Sequence, residues 1–174
     1  MALHAAKIDT RRAQGQAPAR SGAINQQPGS IVSNEGQYSQ SEVRVNYSET
    51  DQMGVAYHAR YVVWLDIART EHLRVAGYSY RDLEARGFRL VVTDLRLRYL
   101  RAARYDDRIR IRCWLREVAS RRVTFGYAVE NAEDGSLLAS AETALVCVNE
   151  RHELARLPDD VRAVLAVAPD LVRL

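Results

Sequence analysis

Long apolar runs are missing from this chain. No stretch approaches the roughly 18 residues that a membrane-spanning helix needs, and the N-terminus lacks the apolar core of a signal peptide. Cysteine is scarce: Cys113 and Cys147 are the only two in 174 residues. They stand far apart inside strand-like runs, with no histidine or cysteine neighbour at ligand spacing. The sequence therefore offers neither a disulfide framework nor a metal site, and no cofactor is expected. Two reduced core cysteines point to a cytoplasmic protein. A large excess of one charge is absent too: 25 Lys and Arg face 22 Asp and Glu, a formal +3. Dispersed charge of both signs suits an anionic small ligand and does not call for a nucleic-acid partner. Large apolar residues are nearly absent from residues 1–40, which are rich in Ala, Gln, Gly, Ser and Arg. Such a segment cannot bury enough surface to offset its ordering entropy. It reads as a disordered N-terminal extension, leaving 41–168 as one domain without internal repeats.

From Ser41 the pattern changes. Val43, Val45 and Tyr47 alternate with polar residues, a period of two that predicts a half-buried strand. The alternation breaks between Ser48 and Val55, where Ser48, Thr50, Asp51 and Gly54 predict a turn. A helix is expected from about Tyr57 or Ala59 to Ala76. Tyr61, Trp64, Leu65, Ala68, His72 and Val75 share its apolar face; Arg60, Arg69, Thr70 and Arg74 share the other. Gly77 is the expected C-terminal cap, and a short helical turn spans Tyr80 to Arg86. Four strand patterns follow: Phe88–Leu100, with a parity switch that predicts a bulge near Asp94, then Arg108–Arg116, Val123–Glu130 and Leu138–Val148. Asp134-Gly135 marks a hairpin, and Pro158 opens a terminal helix.

The stretch Tyr47-Ser-Glu-Thr-Asp51-Gln-Met-Gly54-Val-Ala-Tyr57-His58 resembles the signature of hotdog-fold acyl-CoA thioesterases of the 4-hydroxybenzoyl-CoA thioesterase type, including the group linked to the Tol-Pal system. The run Trp64-Leu-Asp66-x-x-Arg69-Thr-Glu71 and the later Tyr105-Asp-Asp107 and Arg122-x-x-Phe125-x-Tyr127 are similar to that family as well. The likeness covers about residues 42–166. It implies an α+β hotdog fold, in which a curved antiparallel β-sheet wraps around one long α-helix. One position departs from the pattern: Arg60 stands where the family usually has Asn.

The resemblance implies hydrolysis of an acyl-CoA to a free acid and coenzyme A. Asp51, at the entry to the long helix, is the candidate nucleophile or general base. Free N–H groups of the first helical turn, His58 first among them, are the candidate oxyanion site. The His58 side chain and Tyr47 complete the catalytic candidates; Gly54, Tyr57 and Tyr61 are the substrate-binding ones. Asp66 and Glu71, on the helix, are the rival carboxylates, and His72 reads as a core residue. The arginines of the strands (Arg96, Arg98, Arg101 and Arg104, then Arg108 to Arg116) read as a solvated or ion-paired outer face, or as a source of phosphate ligands. A hotdog hydratase or dehydratase and a non-catalytic RNA- or protein-binding module are the alternatives. The family builds its sites between subunits, so a homodimer or homotetramer is expected.

Overall fold

The computed structural model describes residues 38–173. Residues 1–37, most of the expected extension, lie outside the described residues. The first strand, β1, runs Tyr38–Arg44, three residues earlier than the period-two pattern suggested. It buries Ser39, Ser41 and Val43 on one face.

Tyr47 does not extend this strand as expected. Tyr47–Glu49 is one turn of 3-10 helix. The cause is local: the Asn46 N–H donates to Glu49 Oε2 at 2.9 Å, and Glu49 N–H donates back to the Asn46 carbonyl at 3.0 Å. This reciprocal capping ends the extended backbone.

The long helix, α1, runs Arg60–Val75, and Gly77 follows its cap with φ +92. Glycine takes that left-handed conformation without the Cβ clash. Tyr61, Trp64, Leu65, Ala68 and His72 are buried, as their spacing predicts. Two positions differ. Val75 is exposed and Leu73 is buried instead. Arg69, expected on the polar face, turns under the short helix α2 (Tyr80–Ala85), where it meets Asp66 and the Tyr80 hydroxyl. The Tyr80 ring lies 5.0 Å from its guanidinium carbon. A cation with a carboxylate and an aromatic partner tolerates that partial burial.

The remaining strands are β2 (Arg89–Tyr99), β3 (Arg108–Val118), β4 (Arg122–Asn131) and β5 (Leu137–Val148). A terminal helix, α3, spans Asp159–Val164. All five strands form one antiparallel sheet in the order β1-β3-β4-β5-β2. The register of β2 on β5 shifts between Val92 and Asp94, where the parity switch predicts a bulge. The sheet wraps α1, whose Tyr61, Trp64, Leu65 and Ala68 join Ile109, Ile111, Phe125, Val129 and Leu145 in one apolar core. This is the hotdog arrangement that the sequence leads one to expect.

The outer face carries charges in pairs. Glu42 holds Arg108 at 2.9 Å and Arg110 at 3.7 Å, Arg112 meets Glu130, and Arg116 meets both Glu142 and Asp170. The β3 arginines are thus tied up across strands. Behind them Trp114 lies on Gly126, and the C-terminal segment closes over both through Ala168, Leu171 and Val172. Trp114 Nε1 donates to Asp170 at 3.1 Å, and Ala168 N–H donates to the Leu115 carbonyl at 2.8 Å.

Candidate functional site

Asp51 sits at the start of a tight loop that its own groups hold closed. Its N–H donates to the Val55 carbonyl at 2.9 Å, and its carbonyl accepts from Gly54 N–H at 3.0 Å. Its Oδ1 accepts from Met53 N–H at 2.8 Å, a side-chain turn of the kind aspartate favours. Gly54, with φ +73, makes this reversal. A Cβ built there meets nothing within 4 Å, so conformation and not crowding calls for glycine.

The loop is hooked to the segment after β2: Ala56 N–H donates to the Ala103 carbonyl at 2.8 Å, and Val55 bridges Arg104. Tyr57 N–H donates to the Glu49 carbonyl at 2.8 Å, while Glu49 Oε1 accepts from Trp64 Nε1 at 3.4 Å. Glu49 thereby clasps the turn before Asp51 to the body of α1. Sequence reasoning did not single it out, although Asn46-x-x-Glu49 is the spacing of a cap.

These contacts leave three groups open. Asp51 Oδ2 has no hydrogen-bond partner among the described residues, and neither do the backbone N–H groups of His58 and Ala59. They precede the first turn of α1, which contains no acidic residue. N–H groups at that end carry the positive pole of the helix.

Asp51 forms part of the wall of two cavities. One, about 350 Å³, is lined by Asp51, Met53, His58, Tyr61, Tyr99 and Arg101 with neighbouring apolar residues. The other, about 390 Å³, is lined by Ser48, Thr50, Tyr57, Ala59, Arg60 and Val63 besides Asp51. The first is walled mainly by apolar side chains, and the second mixes hydroxyls, a cation and an aromatic ring.

Of the predicted residues, Asp51, His58 and Tyr61 come together on the first cavity, and Asp51 and Tyr57 on the second. The Tyr57 and His58 rings touch, with centroids 4.3 Å apart. Tyr61 is 2% exposed, and its hydroxyl accepts from Ala103 N–H at 3.1 Å. Burial raises its pKa, so it stays a neutral phenol. Gly54 shapes the loop without lining either cavity. Tyr47 lies outside both: it is 79% exposed and meets Tyr105 edge-on at 5.6 Å.

The rival carboxylates are engaged elsewhere, Asp66 with Arg69 and Glu71 with Arg74. His72 is buried against Ser39, with Oγ 2.9 Å from Nδ1. Among the described residues no cluster of His, Cys, Asp and Glu is arranged to hold a metal ion.

Sequence reasoning did not place the far wall, Tyr99 to Ala102, at the site; it named Arg101 only among the strand arginines that could hold phosphates. Tyr99 also donates from its hydroxyl to the His58 carbonyl at 2.8 Å. That carbonyl belongs to the peptide whose N–H is Ala59's, so Tyr99 orients one of the open donors. No local signal marks this role, because it arises only when the end of β2 arrives beside the helix entry.

The family model described as thioesterase-like superfamily matches residues 45–165. "Putative acyl-CoA thioesterase YneP" of Bacillus subtilis is 32% identical over 112 residues, 64% of this chain and 80% of that one. "Acyl-CoA thioester hydrolase YbgC" of Escherichia coli O6:H1 is 38% identical over 107 residues, 62% of this chain and 79% of that one. Among solved structures, a DHNA-CoA thioesterase from Staphylococcus aureus superposes with a TM-score of 0.65 at 32% identity, covering 71% of this chain and 81% of that chain.

Proposed function

Since the chain belongs to the thioesterase-like superfamily and is a thioester hydrolase, we propose that it cleaves acyl-CoA with Asp51 as the working carboxylate. The observation that carries this is an unengaged Asp51 Oδ2 together with the unengaged N–H groups of His58 and Ala59, residues that each line one of the two cavities Asp51 also lines. On this reading Asp51 supplies the oxygen base and the two N–H groups supply the donors for a thioester carbonyl.

Two routes use the same groups. As a general base, Asp51 takes a proton from water while the water oxygen bonds to the carbonyl carbon. The oxyanion of the tetrahedral intermediate accepts from the His58 and Ala59 N–H groups. Its collapse breaks the C–S bond, and Asp51 returns the proton to the departing coenzyme A sulfur. As a nucleophile, Asp51 Oδ2 bonds to the carbonyl carbon and displaces the thiolate, giving a mixed anhydride. Water then hydrolyses the anhydride and supplies the protons that balance the products. Oδ1 is held by Met53, so Oδ2 is the reacting oxygen in either route.

The Tyr47–His58 motif supports the finer assignment to the 4-hydroxybenzoyl-CoA thioesterase type and its Tol-Pal-linked group. The active form is a dimer or tetramer in the cytoplasm. An open sheet edge supports assembly: β2 exposes Val91, Val92, Leu95 and Tyr99, close to half of each side chain. Light scattering that gave a monomeric mass would remove that part. Cys113 and Cys147 are free and buried, as a reducing compartment permits.

The test of the whole is thiol release from a panel of acyl-CoA esters. Asp51→Asn keeps the Oδ1 bond and loses the base, so kcat/KM is expected to fall at least about 100-fold. A variant as active as the wild type would sink the assignment.

A further inference from the structure

Three arginines lie on α1, and only two of them have partners. Arg69 holds Asp66 and Tyr80, and Arg74 holds Glu71. Arg60 makes no side-chain hydrogen bond or ion pair with any described residue. It is half-buried on the wall of the 390 Å³ cavity, with Asp51, Ser48, Thr50, Tyr57 and Val63. The Thr50 hydroxyl donates to the Tyr47 carbonyl at 2.8 Å, and Ser48 is uncommitted. An unpaired guanidinium beside two hydroxyls, partly out of water, is a receptor for an oxyanion. Asp51, on the same wall, repels an anion, so the anion belongs on the Arg60 side and the scissile carbonyl on the Asp51 side. The other cavity flanking Asp51 is walled by Met53, Val55, Tyr61, Tyr99 and Leu100, and also by His58 and Arg101.

We infer that Arg60 is a specificity residue whose guanidinium binds an anionic group carried by the thioester substrate. This rests on the thioester-hydrolase reading and adds to it a direction: the charged group of the substrate lies on the Arg60 flank of Asp51. Two parts of a coenzyme A thioester supply such a group, a carboxylate at the far end of the acyl chain or the phosphates of the nucleotide. Both are recognised by the same forked donor geometry.

The test compares wild type, Arg60→Gln and Arg60→Lys on glutaryl-CoA, butyryl-CoA and butyryl-pantetheine. If the anion is the acyl carboxylate, Arg60→Gln lowers kcat/KM for glutaryl-CoA relative to butyryl-CoA by about tenfold. If it is the phosphates, the same variant lowers both coenzyme A esters by about tenfold relative to butyryl-pantetheine. In either case the loss lies in KM, Arg60→Lys recovers part of it, and added salt weakens the wild type toward the variant. Equal losses on all three substrates, or none, would overturn the inference. Calorimetric titration with coenzyme A and glutaryl-CoA runs in parallel. A wild type that releases no thiol would defeat the hydrolase reading. Weaker binding of either ligand by Arg60→Gln would still uphold the subsite, and equal binding of both would end it.

Discussion

Acid weakens this fold first through His72. The side chain is 8% exposed on the core face of α1. It meets Ser39 Oγ at 2.9 Å and the Phe125 ring edge-on at 6.0 Å. Among the described residues no carboxylate is paired with it. Desolvation therefore dominates and lowers its pKa from 6.5 to about 4, against a smaller opposing effect of the Cys113 backbone. The folded pKa lies below the unfolded one, so the unfolded chain takes up the proton first as pH falls. The stabilisation is complete above pH 6.5 and is lost progressively toward pH 4. Between pH 7 and pH 5 the linkage amounts to about 2 kcal/mol. Urea unfolding at the two pH values measures it. His72→Met keeps a similar volume and does not titrate, so its stability should lose about 2 kcal/mol less over the same interval. Carboxylates such as Asp160, held low by Arg86 and Tyr78, titrate in both proteins and cancel in the comparison. Equal losses in wild type and His72→Met would refute the reasoning.

Two further outcomes follow from distances in the structure. Gly126→Ala places a Cβ 2.5 Å from Trp114 Cε2 and 2.7 Å from its Nε1, so the indole must shift and its bond to Asp170 is lost. Overpacking of about 1–3 kcal/mol and a hydrogen bond of about 1 give an expected destabilisation of about 2–4 kcal/mol in urea unfolding; a change below about 0.5 would contradict this packing. Tyr99→Phe removes the donor that holds the His58 carbonyl; kcat should fall about tenfold while stability changes by less than about 1 kcal/mol, and an unchanged kcat would detach Tyr99 from the proposed oxyanion site.

The elements of the fold were legible where burial follows a simple period. The apolar spacing of Tyr61, Trp64, Leu65 and Ala68 predicts α1, and the parity switch within β2 predicts its bulge. What failed did so through competing local or distant contacts. Tyr47 continues the alternation of β1, yet the Asn46–Glu49 cap stops the strand first. Arg69 looks solvated until α2 folds back and gives it Tyr80. In the site, Asp51 is only a turn former by composition; the motif around it, not its residue type, marks it for chemistry. Tyr99 carries no mark at all, and Arg101 is marked only as one of many strand arginines, since the sheet order alone brings them to the cavity.

The placement of β2 has a consequence for how the chain is made. It is synthesised before β3, but its sheet neighbour is β5, the last strand to appear. While β3 and β4 are being added, an apolar strand waits with both edges unpaired, the condition under which nascent chains aggregate. Arg96 and Arg98, set between Leu95, Leu97 and Tyr99, interrupt that apolar run with charge at every second position. Arginines that make no ion pair among the described residues thus serve the chain as gatekeepers before the sheet exists.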